Sequence, residues 1–320
     1  MKLCKGAVLA LAVSYGLIYC HTNKSKFMLE QKGDSLTLIH ITNPTNYILL
    51  PIEEAAEESR VRLDIGDAAD TDMDIRLAQT KVDYWVPFVL PADAKTVTVR
   101  VQKSLGDALC WKEMKLSDTF DPSHTDKFRP VYHHAPLYGW MNNANGLVYE
   151  DEEYHLYYQY NPYGSKWGNM HWGHSISKDL MHWEHLAPAI VRDTLGHIFS
   201  GSSIVDQENV AGYGTGTILA FYTSASDKNG QIQCLAYSND NGRTFTKYDK
   251  NPILRSSDRR KDFRDPKVFW YAPGNKWIMI VAADKEMCFY DSEDLKDWNY
   301  MSSLVKVMAY SLVSLSVRIW

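Results

Sequence analysis

The sequence predicts an all-β protein in two parts: an N-terminal antiparallel sandwich over residues 26–117, then a series of short strands of the kind that builds β-propeller blades. Three observations predict it. Apolar residues alternate with polar ones at the two-residue period of a half-buried strand, as in Val61, Leu63 and Ile65 around Arg62 and Asp64. Turn residues cut the pattern into short runs, most clearly at Asn229-Gly230, Asn241-Gly242 and Pro273-Gly274. The 20 Tyr and 10 Trp residues, many of them between 132 and 183, suit strands. Rings at that density also suit a sugar-stacking surface, and composition alone leaves both readings open.

In chain order, Lys2 and Lys5 precede a largely apolar run, Ala7 to Tyr19, too short to span a membrane and right for the core of an export signal. Cys20 follows where a lipoprotein carries its acylated Cys, although Tyr19 is bulkier than the residue such a site prefers. Residues 1–20 are expected to be a signal peptide, the chain is expected in the periplasm or at the cell surface, and Cys20 is a candidate lipid anchor. Within 26–117 the alternation recurs at Met73, Ile75 and Leu77 and at Val97, Val99 and Val101. Pro51–Glu58, with Glu53, Glu54, Glu57 and Glu58, reads as a short helix or an acidic loop. No catalytic constellation is visible in this part, which reads as an accessory domain. Residues 118–130 are polar and turn-rich and read as a linker. From Val131 the strands recur at Gly146–Tyr149, His155–Tyr158, His171–His174, Ile218–Phe221 and Lys276–Met279.

A net charge of −5 supplies no electrostatic reason to bind nucleic acid. Beyond Cys20 only Cys110, Cys234 and Cys288 remain, too scattered for a disulfide framework or a thiolate metal site. His171 and His174 stand three apart, so on a strand they point to opposite faces, and no third ligand is near. Ser200-Gly201-Ser202 lacks the frame of a serine hydrolase nucleophile elbow. No metal and no cofactor is expected, and the chain is expected to be a monomer.

The loop Trp140-Met141-Asn142-Asn143-Ala144-Asn145-Gly146 resembles the Trp-Met-Asn-Asp-Pro-Asn-Gly signature of glycoside hydrolase family 32, which includes invertases, levanases and inulinases. Further motifs follow in the family's order: Tyr157-Tyr158-Gln159-Tyr160-Asn161-Pro162, Trp167 to His174, Ser177-Lys178-Asp179-Leu180 with Trp183 and Glu184, Phe199-Ser200-Gly201-Ser202, and Phe263-Arg264-Asp265-Pro266. The resemblance implies a five-bladed propeller, of which residues 131–303 would supply about three blades. It implies a retaining hydrolase of β-fructofuranosidic bonds, acting on fructan or sucrose. In such a site one carboxylate attacks and one carboxylic acid protonates the leaving oxygen. The nucleophile position falls on Asn143 and the transition-state stabiliser on Asp265. Arg264 would grip hydroxyls or orient a carboxylate, Asn142, Gln159, Trp167 and Ser200 would touch the sugar, and Phe199 would wall the pocket.

The sequence departs from the family pattern in two places. Asn143 is an amide, uncharged and a poor nucleophile. After Trp298 no Glu-Cys-Pro-Asp motif, bearer of the family's general acid Glu, follows. Codons for Ser316-Val317-Arg318-Ile319-Trp320 can instead read Glu-Cys-Pro-Asp-Leu one nucleotide earlier, so residues 304–320 are expected to be an aberrant tail from a frame shift near 304. The sequence thus predicts an impaired or inactive glycosidase, the alternative being a fructan-binding remnant without catalysis.

Overall fold

The computed structural model describes residues 18–20, 26–65, 68–91, 94–103, 106–122, 129–130, 132–258 and 260–305. The chain divides into two compact units, Met1–Phe120 and Asp121–Trp320. Most of the expected export signal, the linker segment 123–128 and the tail from 306 to 320 lie outside the described residues.

Unit one is built from two antiparallel sheets. The larger runs in the order β1 (Ile18–Cys20), β2 (Lys26–Lys32), β3 (Leu36–Thr42), β8 (Thr96–Gln102), β5 (Ser59–Ile65) and β6 (Ala68–Ile75). The smaller places β4 (Tyr47–Ile52) between β7 (Tyr84–Val89) and β9 (Lys115–Ser117), with a single helical turn, α1 (Cys110–Glu113), before β9. The alternation read from the sequence is the burial pattern: Val97, Val99 and Val101 are buried, while Thr96, Arg100 and Gln102 between and beside them are exposed. The acidic segment after β4 is a turn, not a helix. Glu53 is buried there, and its carboxylate accepts backbone N–H bonds from Gln79, Thr80 and Lys81 at 2.8, 2.8 and 3.3 Å. Those bonds hold its pKa down to about 2 against the cost of burial.

Unit two is three four-stranded antiparallel meanders in sequence order. The first comprises β10 (Trp140–Glu150), β11 (Glu153–Asn161), β12 (His171–Ser177) and β13 (Glu184–Ile190). The second comprises β14 (His197–Asp206), β15 (Thr217–Ser226), β16 (Gly230–Ser238) and β17 (Thr246–Lys247). The third comprises β18 (Phe263–Tyr271), β19 (Lys276–Ala283), β20 (Glu286–Ser292) and β21 (Asn299–Val305), whose residues are all exposed. This is the strand order of propeller blades.

The sheets stack face to face, and the middle one is buried on both sides. Ile218, Ala220 and Tyr222 of β15 join Tyr157 and Trp172 of the first sheet in one apolar cluster. The intervening Leu219 and Phe221 join Met279, Val281 and Phe263 of the third sheet in another. Hence β15 reads as an unbroken apolar run rather than an alternating one. Each sheet also carries a Ser-x-Asp turn after its third strand, one residue longer in the second sheet. Ser177, Ser238 and Ser292 accept N–H bonds from Leu180, Gly242 and Leu295, while Asp179, Asp240 and Asp294 accept from Met181, Thr244 and Lys296. Leu180, Asn241 and Leu295 there take φ of 63°, 53° and 65°. This Ser-x-Asp repeat is an internal periodicity of the sequence.

Candidate active site

The first strands of the three sheets, β10, β14 and β18, lie side by side. Each carries a bulge at its third and fourth residues. Met141 faces Tyr160 and Ala144 faces Tyr158, so Asn142 and Asn143 together oppose Gln159. Ile198 faces Ser224 and Gly201 faces Tyr222, so Phe199 and Ser200 oppose Thr223. Arg264 faces Ala282 and Lys267 faces Ile280, so Asp265 and Pro266 oppose Val281. A bulge breaks strict alternation and re-aims side chains. Five of the residues read from the sequence as site residues sit in these bulges, Gln159 opposes one, and Arg264 flanks another.

Hydrogen bonds between the sheets join the bulges to each other. Gln159 Nε2 donates to Ile198 O at 2.9 Å, spanning from the residue opposite the first bulge to the edge of the second. Asp265 N donates to Thr223 Oγ1 at 3.0 Å, spanning from the third bulge to the residue opposite the second. Ser202 Oγ donates to Pro266 O and accepts from Val268 N, both at 2.9 Å. The Gln159 amide nitrogen therefore serves the fold.

Asp265 is largely buried and takes φ of 61°, a left-handed backbone that non-glycine residues rarely adopt. Arg264 stands beside it, with Nε 3.8 Å from Asp265 Oδ2 and Nη1 2.5 Å from Asp262 Oδ1. Gln231 Oε1 accepts from the same Nη1 at 3.4 Å and from Phe263 N at 2.8 Å. This arrangement suits orienting a carboxylate. At the first bulge Asn142 and Asn143 are exposed, and Asn143 O accepts from Asn145 Nδ2 at 3.3 Å. Ser200 is buried.

Trp167, 53 % exposed, comes to the second bulge from the loop between β11 and β12. Its ring centroid lies 6.1 Å from Phe199, edge to face, and 5.4 Å from His197. The loop is pinned by Asn161, which donates to Lys166 O at 2.8 Å and accepts from Tyr163 N at 3.0 Å. Asn169, which donates to Asn161, is held in turn by Arg192 at 2.8 Å.

Residues 133–312 match the N-terminal domain of the glycosyl hydrolases of family 32. The chain belongs to glycosyl hydrolase family 32. Its residues 33–132 match a domain of unknown function, DUF4980. Among curated family 32 relatives, a Bacillus subtilis levanase is 51% identical over 191 residues, covering 58% of this chain and 28% of the levanase. Invertase 2 of Saccharomyces cerevisiae is 44% identical over 188 residues, covering 55% of this chain and 35% of the invertase. The crystal structure of an exo-inulinase from Aspergillus awamori matches with a TM-score of 0.53 at 36% identity, covering 57% of this chain and 41% of the inulinase. The β-fructofuranosidase of Schwanniomyces occidentalis complexed with fructosyl-erythritol matches with a TM-score of 0.52 at 40% identity, covering 55% and 36% of the two chains. The chain thus spans well under half the length of these relatives.

Five histidines pack around the first sheet of unit two: His155, His171 and His174 are buried, and His134 and His185 are half-buried. His171 bonds to Asn169 O, and His174 pairs with His155 at 3.2 Å in a stack with Tyr157. His134 bonds to Ser175 Oγ at 2.9 Å, and the same hydroxyl lies 3.1 Å from His185 Nδ1. Desolvation lowers the pKa of all five. Among the described residues no group of three His, Cys, Asp or Glu is placed to hold a metal ion. Sequence reasoning missed Asn145, Arg192, Thr223 and Gln233. Thr223 follows the apolar run Ile218 to Tyr222, and a buried polar residue there was the available signal.

Proposed function

We propose that this chain carries the sugar-gripping side of a β-fructofuranosidase site and that its covalent step is blocked at residue 143. The carrying observation is the set of neighbouring bulges, in which Asp265, Phe199 and Ser200 keep the family's residue types while the nucleophile position holds an amide. The relatives named levanase, invertase and exo-inulinase support levan, sucrose and inulin as the substrate class. A fructosyl ring would rest against Trp167 and Phe199, with Asn142 and Ser200 at its hydroxyls. Asp265, oriented by Arg264, would steady the positive charge that develops on the ring. Asn143 offers no negative charge and no competent nucleophile, so the fructosyl–protein bond would not form. Lys2, Lys5 and the apolar run to Tyr19 support export, to the periplasm or the cell surface, with Cys20 as the lipid attachment point.

The test isolates the nucleophile position. The chain should not hydrolyse sucrose, inulin or levan, and turnover at rates usual for enzymes, on the order of 1–1000 per second, would refute the proposal. β-Fructosyl fluoride needs no protonation to depart, so Asn143→Asp should release about one equivalent of fluoride per protein as the aspartyl ester forms. No such burst would mean that residue 143 does not face the anomeric carbon. Binding without cleavage is the second reading, favoured by the same amide, and saturable heat on titration with fructan supports it.

A further inference from the structure

We propose that Thr223 and Gln233 are positioning residues that set the direction of the Asp265 carboxylate. The inference rests on the reading of Asp265 as a fructosyl-binding group and deepens it.

Both side chains are wholly buried, at 0% exposure, in the middle sheet of unit two. A buried hydroxyl and a buried amide are costly there unless bonded. Their bonds run in one direction. Gln233 Nε2 donates to Phe263 O at 2.6 Å. Thr223 Oγ1 donates to Gln233 Oε1 at 2.7 Å and accepts from Asp265 N at 3.0 Å. The pair therefore grips β18 on either side of Arg264, at the carbonyl before it and the N–H after it. Gln233 is fixed by its own backbone, which donates to Leu254 O at 2.9 Å and accepts from Ile253 N at 3.0 Å.

What the grip holds is the backbone at φ of 61°. Without a bond at its N–H, Asp265 would relax toward the extended region, and a side chain in an extended strand swings to another face. Thr223 is also the residue that opposes Phe199 and Ser200, so a single hydroxyl references the carboxylate to the bulge beside it. A purely stabilising role would demand only that the two groups satisfy each other. The two bonds that reach β18 are what positioning requires in addition.

Thr223→Val removes the hydroxyl at constant shape, and Thr223→Ser keeps it and removes the methyl. Fructose affinity is measured by calorimetry on the full chain, with thermal midpoints recorded alongside. Thr223→Val should weaken fructose binding about tenfold or more while Thr223→Ser stays within about threefold of the parent, even where both lower the midpoint. Equal weakening by both variants, or none with valine, overturns the proposal. If the parent itself does not take up fructose, the reading of the site has failed. The crystal structure of Thr223→Val then decides the positioning role: residue 265 at negative φ supports it, and residue 265 still near 61° overturns it.

Discussion

Gly146 ends the signature segment within β10, and Gly146→Ala tests why. Its φ is 58°, where an L-residue pays about 1–2 kcal/mol. A Cβ there would stand 2.6 Å from Trp172 Cζ3, 3.0 Å from Cη2 and 3.1 Å from Ser203 Oγ. Trp172 cannot yield cheaply, because it is fully buried and its Nε1 donates to Phe199 O at 2.9 Å. Overpacking of that kind adds about 1–3 kcal/mol. The sum, about 2–5 kcal/mol, should lower the thermal midpoint of unit two by roughly 5–15 °C. Gly212→Ala is the matched control: φ is 76° but nothing lies within 4 Å of the added carbon, so it carries the conformational cost alone. The two variants are compared by calorimetry in one buffer, and the excess for Gly146→Ala isolates the collision with Trp172. A midpoint loss no larger than that of Gly212→Ala would refute the steric account. Because the displaced indole holds Phe199, fructose affinity should fall in Gly146→Ala and not in Gly212→Ala.

Three further outcomes follow from the same coordinates. The burial of His155 and His174 and the partial burial of His134, which push their pKa values down to about 4, about 3 and about 4, make unit two acid-sensitive. Unfolding lets these rings take up protons near pH 6.5, so stability is full above that pH and falls as pH drops toward 4; denaturant midpoints that stay flat from pH 7 to 5 would contradict this. Glu53→Gln weakens three backbone bonds in unit one and should cost about 1–3 kcal/mol at pH 7 in urea titrations. The depressed Glu53 pKa means that this stabilisation is present above about 4.5 and is lost as pH falls toward 2, so parent and variant should draw together from pH 4.5 downward and converge only near pH 2. Asn161→Ala frees Lys166 O and Tyr163 N and should raise the mobility of Trp167, read as a red shift and greater quenching of indole fluorescence by iodide.

Much of the fold was legible because period and punctuation agree with burial, as at Val97, Val99 and Val101. The five strand segments read after Val131 all fall within strands of unit two. The site motifs were legible as a resemblance, yet their mutual placement was not. A bulge adds a residue on one strand without any marker in that strand's own pattern, so Asn142-Asn143, Phe199-Ser200 and Asp265-Pro266 cannot be recognised as equivalent without the register of β11, β15 and β19. The acidic run at Glu53 stayed ambiguous for a similar reason: its partners, Gln79 to Lys81, are distant in sequence. Thr223 and Gln233 read as ordinary strand residues until the bonds to β18 are seen.

The exposure of Asn143 at the mouth of a bulge has a bearing on how such a chain changes over time. Among the described residues its hydrogen bond is at the main-chain carbonyl, which accepts from Asn145. A carboxylate and an amide are near-isosteric, so exchanging one for the other there leaves strand pairing and packing untouched. Folding therefore exerts no pull on that side chain, and only chemistry can preserve an acid at the position. Once turnover ceases to matter, this is where drift can begin unopposed, and the scaffold would keep its form long after the reaction had gone.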